Sequence, residues 1–261
     1  MTLLRRTFLA FALLLASLSV LRAQSDSGHQ PEMAEKLLAL TNQARTEAGL
    51  QPLTVDPALA AAAMKHCERM SVEGALEHIY PGELDLGGRA SLAGVHFSLI
   101  EENIAFGHSP GQIHDEWMHS EGHRQNLLSS EVNHVGIAVI AHHGNLYAVA
   151  DFTRSTSSYT PEQAEAQIAS LIRSASAGIR FRTDPADARN ACALDHGIPN
   201  KLSGGDPGYV MRWQNADLSQ LPPQLAAQLS SGHYQQAAVG ACPARGVEGG
   251  FTQYRMAVLL Y

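Results

Sequence analysis

The stretch from Val135 to Phe152 constrains the fold of this chain more than any other. Val135-Gly136-Ile137-Ala138-Val139-Ile140 reads as a strand, His142-His143-Gly144-Asn145 as a turn, and Leu146-Tyr147-Ala148-Val149-Ala150-Asp151-Phe152 as the returning strand. Strand composition on both sides of a Gly-containing turn predicts a hairpin placed centrally in a sheet. What precedes it is helical. From Pro31 to Ala48, the residues Met33, Leu37, Leu40, Thr41, Ala44 and Ala48 recur at the spacing of one helix face, and Gly49 stops the run. Asp56 can cap a second helix and Pro57 open it, with an apolar stripe of Leu59, Ala62, Ala63, Cys67 and Met70. Between Glu77 and Phe106 the period fails, and Pro81, Gly82, Gly87 and Gly88 mark irregular chain. Ser109-Pro110 then restart a helix through Ile113 and Trp117. A long irregular stretch inside a compact domain points to function or to disorder.

The N-terminus reads as an export signal. Arg5-Arg6 precede an apolar run from Phe8 to Leu21 and small Ala23. The run is shorter than the ~20 residues that span a bilayer, so residues 1–23 are expected to be removed rather than to anchor the chain. Residues 24–32 then form a linker. Arg5-Arg6-Thr7-Phe8-Leu9 also resembles a twin-arginine signal, so the export route stays open. Either route delivers the protein to the periplasm or the cell exterior. The removed segment carries three of the 18 basic side chains and no acids, leaving 15 against 25 acidic ones, a formal charge of −10. Nucleic-acid phosphates need clustered Lys and Arg, and that balance argues against such a partner. In an oxidising compartment Cys192 and Cys242, both in the C-terminal half, are the expected pair, with Cys67 buried and free.

After a polar linker from Arg154 to Tyr159, Thr160 and Gln163 have capping-box spacing at the start of a helix through Ile168, Leu171 and Ile172. Residues 160–261 therefore read as a smaller α+β appendage stapled by Cys192 and Cys242. Its strand-like segments are Tyr209 to Trp213, Tyr234 to Val239 and Tyr254 to Leu260. Ala238 to Cys242 followed by Tyr254 to Leu260 faintly echoes the earlier hairpin, a weak repeat on sequence grounds.

Four segments in order resemble the CAP superfamily of cysteine-rich secretory proteins, insect antigen 5 and plant pathogenesis-related proteins. They are Leu40-Thr41-Asn42-Gln43-Ala44-Arg45 with Gly49-Leu50 and Pro52-Leu53; Glu77-His78; Glu102-Asn103-Ile104-Ala105; and Trp117 to Leu128, a dozen positions similar to bacterial members. The resemblance implies an α+β fold, an α-β-α sandwich over residues 33–153. It also implies a cleft where two histidines and two glutamates can hold a divalent metal, often described as zinc. Matched residue by residue, His78, Glu102 and His123 take three of those places. Glu121 is the choice for the fourth, with Glu116 as the alternative. Glu101 stands where the family usually has glycine, and the multiple disulfides of eukaryotic members are missing.

Imidazole and carboxylate are ligands zinc accepts in open sites, so the donor set is chemically suited to it. His119 and His123 are four apart but separated by Ser-Glu-Gly, unlike the Glu-first arrangement of zinc metalloproteases, and His114 and His119 would diverge on a helix. Trp117 reads as a core anchor and His142-His143 as an exposed turn. A hydrolase would use His78, Glu102 and His123 as a base acting through water, yet no nucleophile accompanies them, since Ser120 lacks a glycine elbow. Activities across the family are mostly not catalytic. The expected function is therefore an exported binding module for a lipid, sterol, peptide or glycan, with a protease-like hydrolase as the alternative.

Overall fold

The computed structural model describes residues 28–200, 202–203, 205–244 and 253–261. The signal peptide expected at 1–23 and the first part of the linker lie outside the described residues. In chain order the first unit comprises β1 (Gly28–His29), α1 (Pro31–Glu47), β2 (Thr54–Val55), α2 (Pro57–Glu73), α3 (Leu86–Leu92), β3 (Phe97–Gly107), α4 (Pro110–His119), α5 (Glu121–Leu127), β4 (His134–His142) and β5 (Asn145–Ser155). Its sheet runs β1-β4-β5-β3, with β2 parallel to β4, so the hairpin is central. The sheet draws in Gly28 and His29, upstream of residue 33.

Helices cover both faces. On one side α2 packs Ala63, Cys67 and Met70 against Ala138, Ile140 and Val149. On the other, Leu37 of α1, Ile113 and Trp117 of α4 and Leu127 of α5 meet Val135, Val139, Ala148 and Phe152. The result is an α-β-α sandwich. Local chemistry sets its elements: the Asp56 side chain accepts from the Ala58 and Leu59 N–H groups and Pro57 opens α2, as expected. Asn42 clamps Leu53 by accepting from its N–H and donating to its carbonyl. Arg45, in the same motif, is buried and donates to the carbonyls of Gln51, Leu127 and Ser129.

The 77–106 stretch is more regular than its composition predicts. Asp85 caps α3 by accepting from Gly88, so the two glycines sit in a helix rather than a loop. β3 pairs with β5 over nearly its whole length. The polar run Glu101-Glu102-Asn103 hides that strand, because Glu102 and Asn103 serve the site described below and Glu101 lines a separate depression. The 117–128 motif is likewise two helices: extended Ser120 ends α4 and opens α5, so His119 and His123 share no helix face.

The second unit comprises α6 (Pro161–Ala175), β6 (Arg180–Phe181), α7 (Ala186–Ala193), β7 (Tyr209–Asn215), α8 (Pro223–Ser230), β8 (Gln236–Cys242) and β9 (Tyr254–Leu260). The capping box of Thr160 and Gln163 forms at α6. Its sheet order β6-β8-β9-β7 repeats β2-β4-β5-β3, with the same parallel first pairing and antiparallel remainder. The correspondence extends to single residues. Gly136 of β4 lies against the α2 backbone at Leu59 and Ala60, and Gly240 of β8 lies against the α7 backbone at Ala188 and Arg189. The faint echo of the hairpin is thus part of a repeated fold. Cys192 of α7 and Cys242 of β8 are bonded, with Cα atoms 5.8 Å apart. Cys67 is free and buried, and burial pushes its thiol up to about 12. The Tyr254 hydroxyl holds the linker, accepting from the Tyr159 N–H and donating to the Ser157 carbonyl, and its ring stacks on His96 of the first unit.

A Cβ at either close-approach glycine would overlap helix backbone, which cannot give way as a side-chain tip can. Gly136→Ala and Gly240→Ala should each destabilise by about 3 kcal/mol or more, the upper part of the range for overpacking. Gly122→Ala, on α5 with open space around it, should be neutral or stabilising. Denaturant unfolding of the three variants checks this.

Candidate functional site

Glu102 of β3 stands opposite Asp151 of β5 and is almost wholly buried. Its Oε1 accepts from His78 Nδ1 at 2.8 Å, and its Oε2 accepts from the Arg89 guanidinium of α3 at 2.5 Å. Arg89 also donates to the carbonyl of His78, so one cation holds both the carboxylate and the loop that carries the histidine. Asp151 is fully buried, and no other group donates to either of its oxygens. Burial first, then the charge of Glu102, raises its carboxyl well above the usual range.

A second layer fixes the loop between α2 and α3. His66 of α2 is fully buried; Nδ1 lies 2.8 Å from Glu83 Oε1 and Nε2 lies 3.0 Å from the Glu77 carbonyl and 3.9 Å from Glu102 Oε2. Glu83 also accepts from the Tyr80 N–H. The sequence reading singled out His78 and Glu102 but missed His66, Glu83, Arg89 and Asp151. Their only signal is charge inside otherwise apolar segments.

His123 reaches the same neighbourhood from α5. Asn103, next to Glu102 on β3, donates to the His123 carbonyl at 2.9 Å, and Asn126 donates to the Asn103 side chain and the Glu102 carbonyl. Burial, and then the charge of His78, lowers the His123 titration. Beside His123, between the end of β3 and α4, is a cavity of about 340 Å³ walled by Leu76, Ile104, Phe106 and Trp117 with Glu116 at its polar side. Trp117 is buried and donates to the Ile104 carbonyl, an anchor as expected. His143 is exposed in the β4–β5 turn, as expected, with φ 49°.

The two candidate carboxylates part company because Ser120 separates their helices. Glu116 shares the cavity of His123, whereas Glu121 lines a different depression with Glu101 and His119. Among the described residues, no three His, Cys, Asp or Glu side chains converge in a way that could hold a metal ion. Both Glu102 oxygens and Nδ1 of His78 are engaged, and a histidine whose Nδ1 faces a carboxylate keeps Nε2 as its donor. Zinc needs three or four free donors at ~2.0–2.3 Å. Of the expected set, Glu102 is engaged at both oxygens and Glu121 lines the other depression, which leaves His78 Nε2 and the His123 ring as candidate donors.

Residues 38–152 match the family model described as CAP, the cysteine-rich secretory protein family. The chain carries a CAP domain. The domain is similar to the uncharacterized protein YkwD of Bacillus subtilis, 31% identical over 107 residues, which are 41% of this chain and 42% of that one. The chain spans less than half the length of the curated relatives it matches. An extracellular protein containing an SCP domain from Bacillus anthracis is 29% identical, with 48% of this chain and 41% of that one covered and a TM-score of 0.44. The structure of NaASP2 with Zn2+ is 14% identical, with 49% and 86% covered and a TM-score of 0.37.

The network under the CAP cleft has a pH signature. Burial alone would raise the Glu83 carboxyl, but hydrogen bonds from His66 and the Tyr80 N–H, with the charges of His66 and Arg89, hold it below its ordinary value. A carboxyl depressed in the folded state adds stability above its unfolded value of about 4.3, and that stability is lost as pH falls through the lower folded value. Thermal unfolding of Glu83→Gln should therefore show a shallower loss below about pH 4 than the parent chain. Parallel curves would remove Glu83 from the network.

Proposed function

We propose that the CAP domain is a non-catalytic, exported binding module whose ligand sits in the cavity beside His123. The observation that carries this reading is the contact between Arg89 and Glu102. A histidine base is strengthened by an adjacent carboxylate charge, and here a buried guanidinium offsets that charge. The oriented imidazole, His78, has a side chain 60% exposed, so water around it is bulk water rather than a sequestered nucleophile. The hydrolase alternative loses its base on these grounds.

The cavity favours an amphiphilic ligand. Ile104, Phe106 and Trp117 present apolar surface, while Glu116 and His123 can recognise a hydrogen-bonding or cationic head. Lipid, sterol and peptide ligands all have that character. No helix of the described residues is long and apolar enough to cross a membrane. Export rests on the N-terminal segment.

Metal analysis and zinc calorimetry on the purified chain, with a casein-hydrolysis assay, test the reading. We expect no zinc site tighter than about 10 μM and no turnover that His78→Ala abolishes. One zinc per chain, lost in both His78→Ala and His123→Ala and bound more tightly as pH rises, would replace this reading with a metal-dependent one.

A further inference from the structure

The repeat of the fold places a second depression where the first domain has its cleft. β7 takes the position of β3, and α8 that of α4. Gly136, Asp151 and Glu102 form one row across the first sheet, and Gly240, Ala257 and Arg212 form the matching row across the second. Glu102 is thus replaced by Arg212 and Asp151 by Ala257. Arg212 donates to the carbonyls of Ala191 and Gly197, so its charge is spent on structure. The acid and histidine chemistry of the first cleft has no counterpart here.

What lines the second depression is different. Between the end of β7 and α8 lies a cavity of about 500 Å³ with Trp213, Leu221 and Pro222 as walls and Asn215, Asp217 and Gln224 among its polar groups. We propose that this cavity is a binding site for neutral carbohydrate. Trp213 is half-buried against the core of the second unit and still lines the cavity, offering the flat apolar surface on which the C–H face of a pyranose packs. Asn215 and Gln224 are exposed primary amides, each with donors and an acceptor that match neighbouring hydroxyls.

The rim is arranged before a ligand arrives. The Asn215 side chain accepts from the Asp217 N–H and the Asp217 side chain from the Ser219 N–H, which fixes this turn, while Pro222-Pro223 stiffen the opposite wall. Charge narrows the ligand class. Among the described residues Asp217 is the one charged side chain in the lining, with no Lys or Arg to receive a phosphate, sulfate or uronate. A nucleotide would stack on the indole but leave its phosphates unmatched. The proposal rests on the second unit alone and does not depend on the reading of the CAP cleft.

Tryptophan emission provides the test. The chain has two tryptophans, and because Trp117 walls the first-domain cavity, a ligand-dependent change is assigned to Trp213 by its loss in Trp213→Phe. The whole chain is titrated with cellotetraose, chitotetraose and maltotetraose, with calorimetry in parallel. At least one should give a saturable signal that Trp213→Phe removes. Asn215→Ala and Gln224→Ala alter exposed side chains and should weaken binding about tenfold, whatever Trp213→Phe does to folding. His123→Ala should leave it unchanged. Absence of binding by all three sugars up to about 10 mM, affinity unaltered in the amide variants, or loss of binding in His123→Ala would each overturn the proposal.

Discussion

A carboxylate buried at the middle of a strand is the constraint around which the first domain is built. Removing Glu102 from water costs several kcal/mol unless partners restore what solvent supplied. Arg89 and His78 do so directly. Each partner lies on a different element, so satisfying one charge ties α3 and the loop after α2 to β3. His66 and Glu83 extend the tie into α2. The same arrangement takes up both oxygens of Glu102 and Nδ1 of His78.

Much of the frame was legible in the sequence. The hairpin, the caps at Asp56 and Thr160 and the Cys192–Cys242 pair follow from local rules of turn, cap and compartment, and the structure shows them. The parts that resisted reading depend on distant partners. β3 looked irregular because Glu101, Glu102 and Asn103 break apolar alternation, and nothing in the sequence near Arg89 announces that its partner lies on β3. The fourth carboxylate could not be chosen between Glu116 and Glu121 because the break at Ser120 decides which cavity each faces. Arg45, in an apparently amphipathic helix, is buried because backbone carbonyls surround its guanidinium.

The two sheets separate what the fold requires from what the site requires. Both copies keep a glycine where a helix crosses the sheet, at Gly136 and Gly240, since backbone contact leaves no room for a side chain. With the topology as guide, the sequence also shows Pro31-Glu32-Met33-Ala34-Glu35 answered by Pro161-Glu162-Gln163-Ala164-Glu165, and Asp56-Pro57-Ala58 by Asp184-Pro185-Ala186. These pairs lie at helix starts. The charged row is what diverges, and with it the chemistry each copy can offer a ligand.

The account depends on Arg89 and Glu102 acting as one unit, which a double-mutant cycle measures directly. In denaturant unfolding, Arg89→Met and Glu102→Gln should each cost about 3–5 kcal/mol, because each leaves the other group buried without its partner. The double variant should cost less than the sum of the two by at least about 2 kcal/mol. Additivity within about 0.5 kcal/mol would mean that the two side chains are independent, and the central claim would fail.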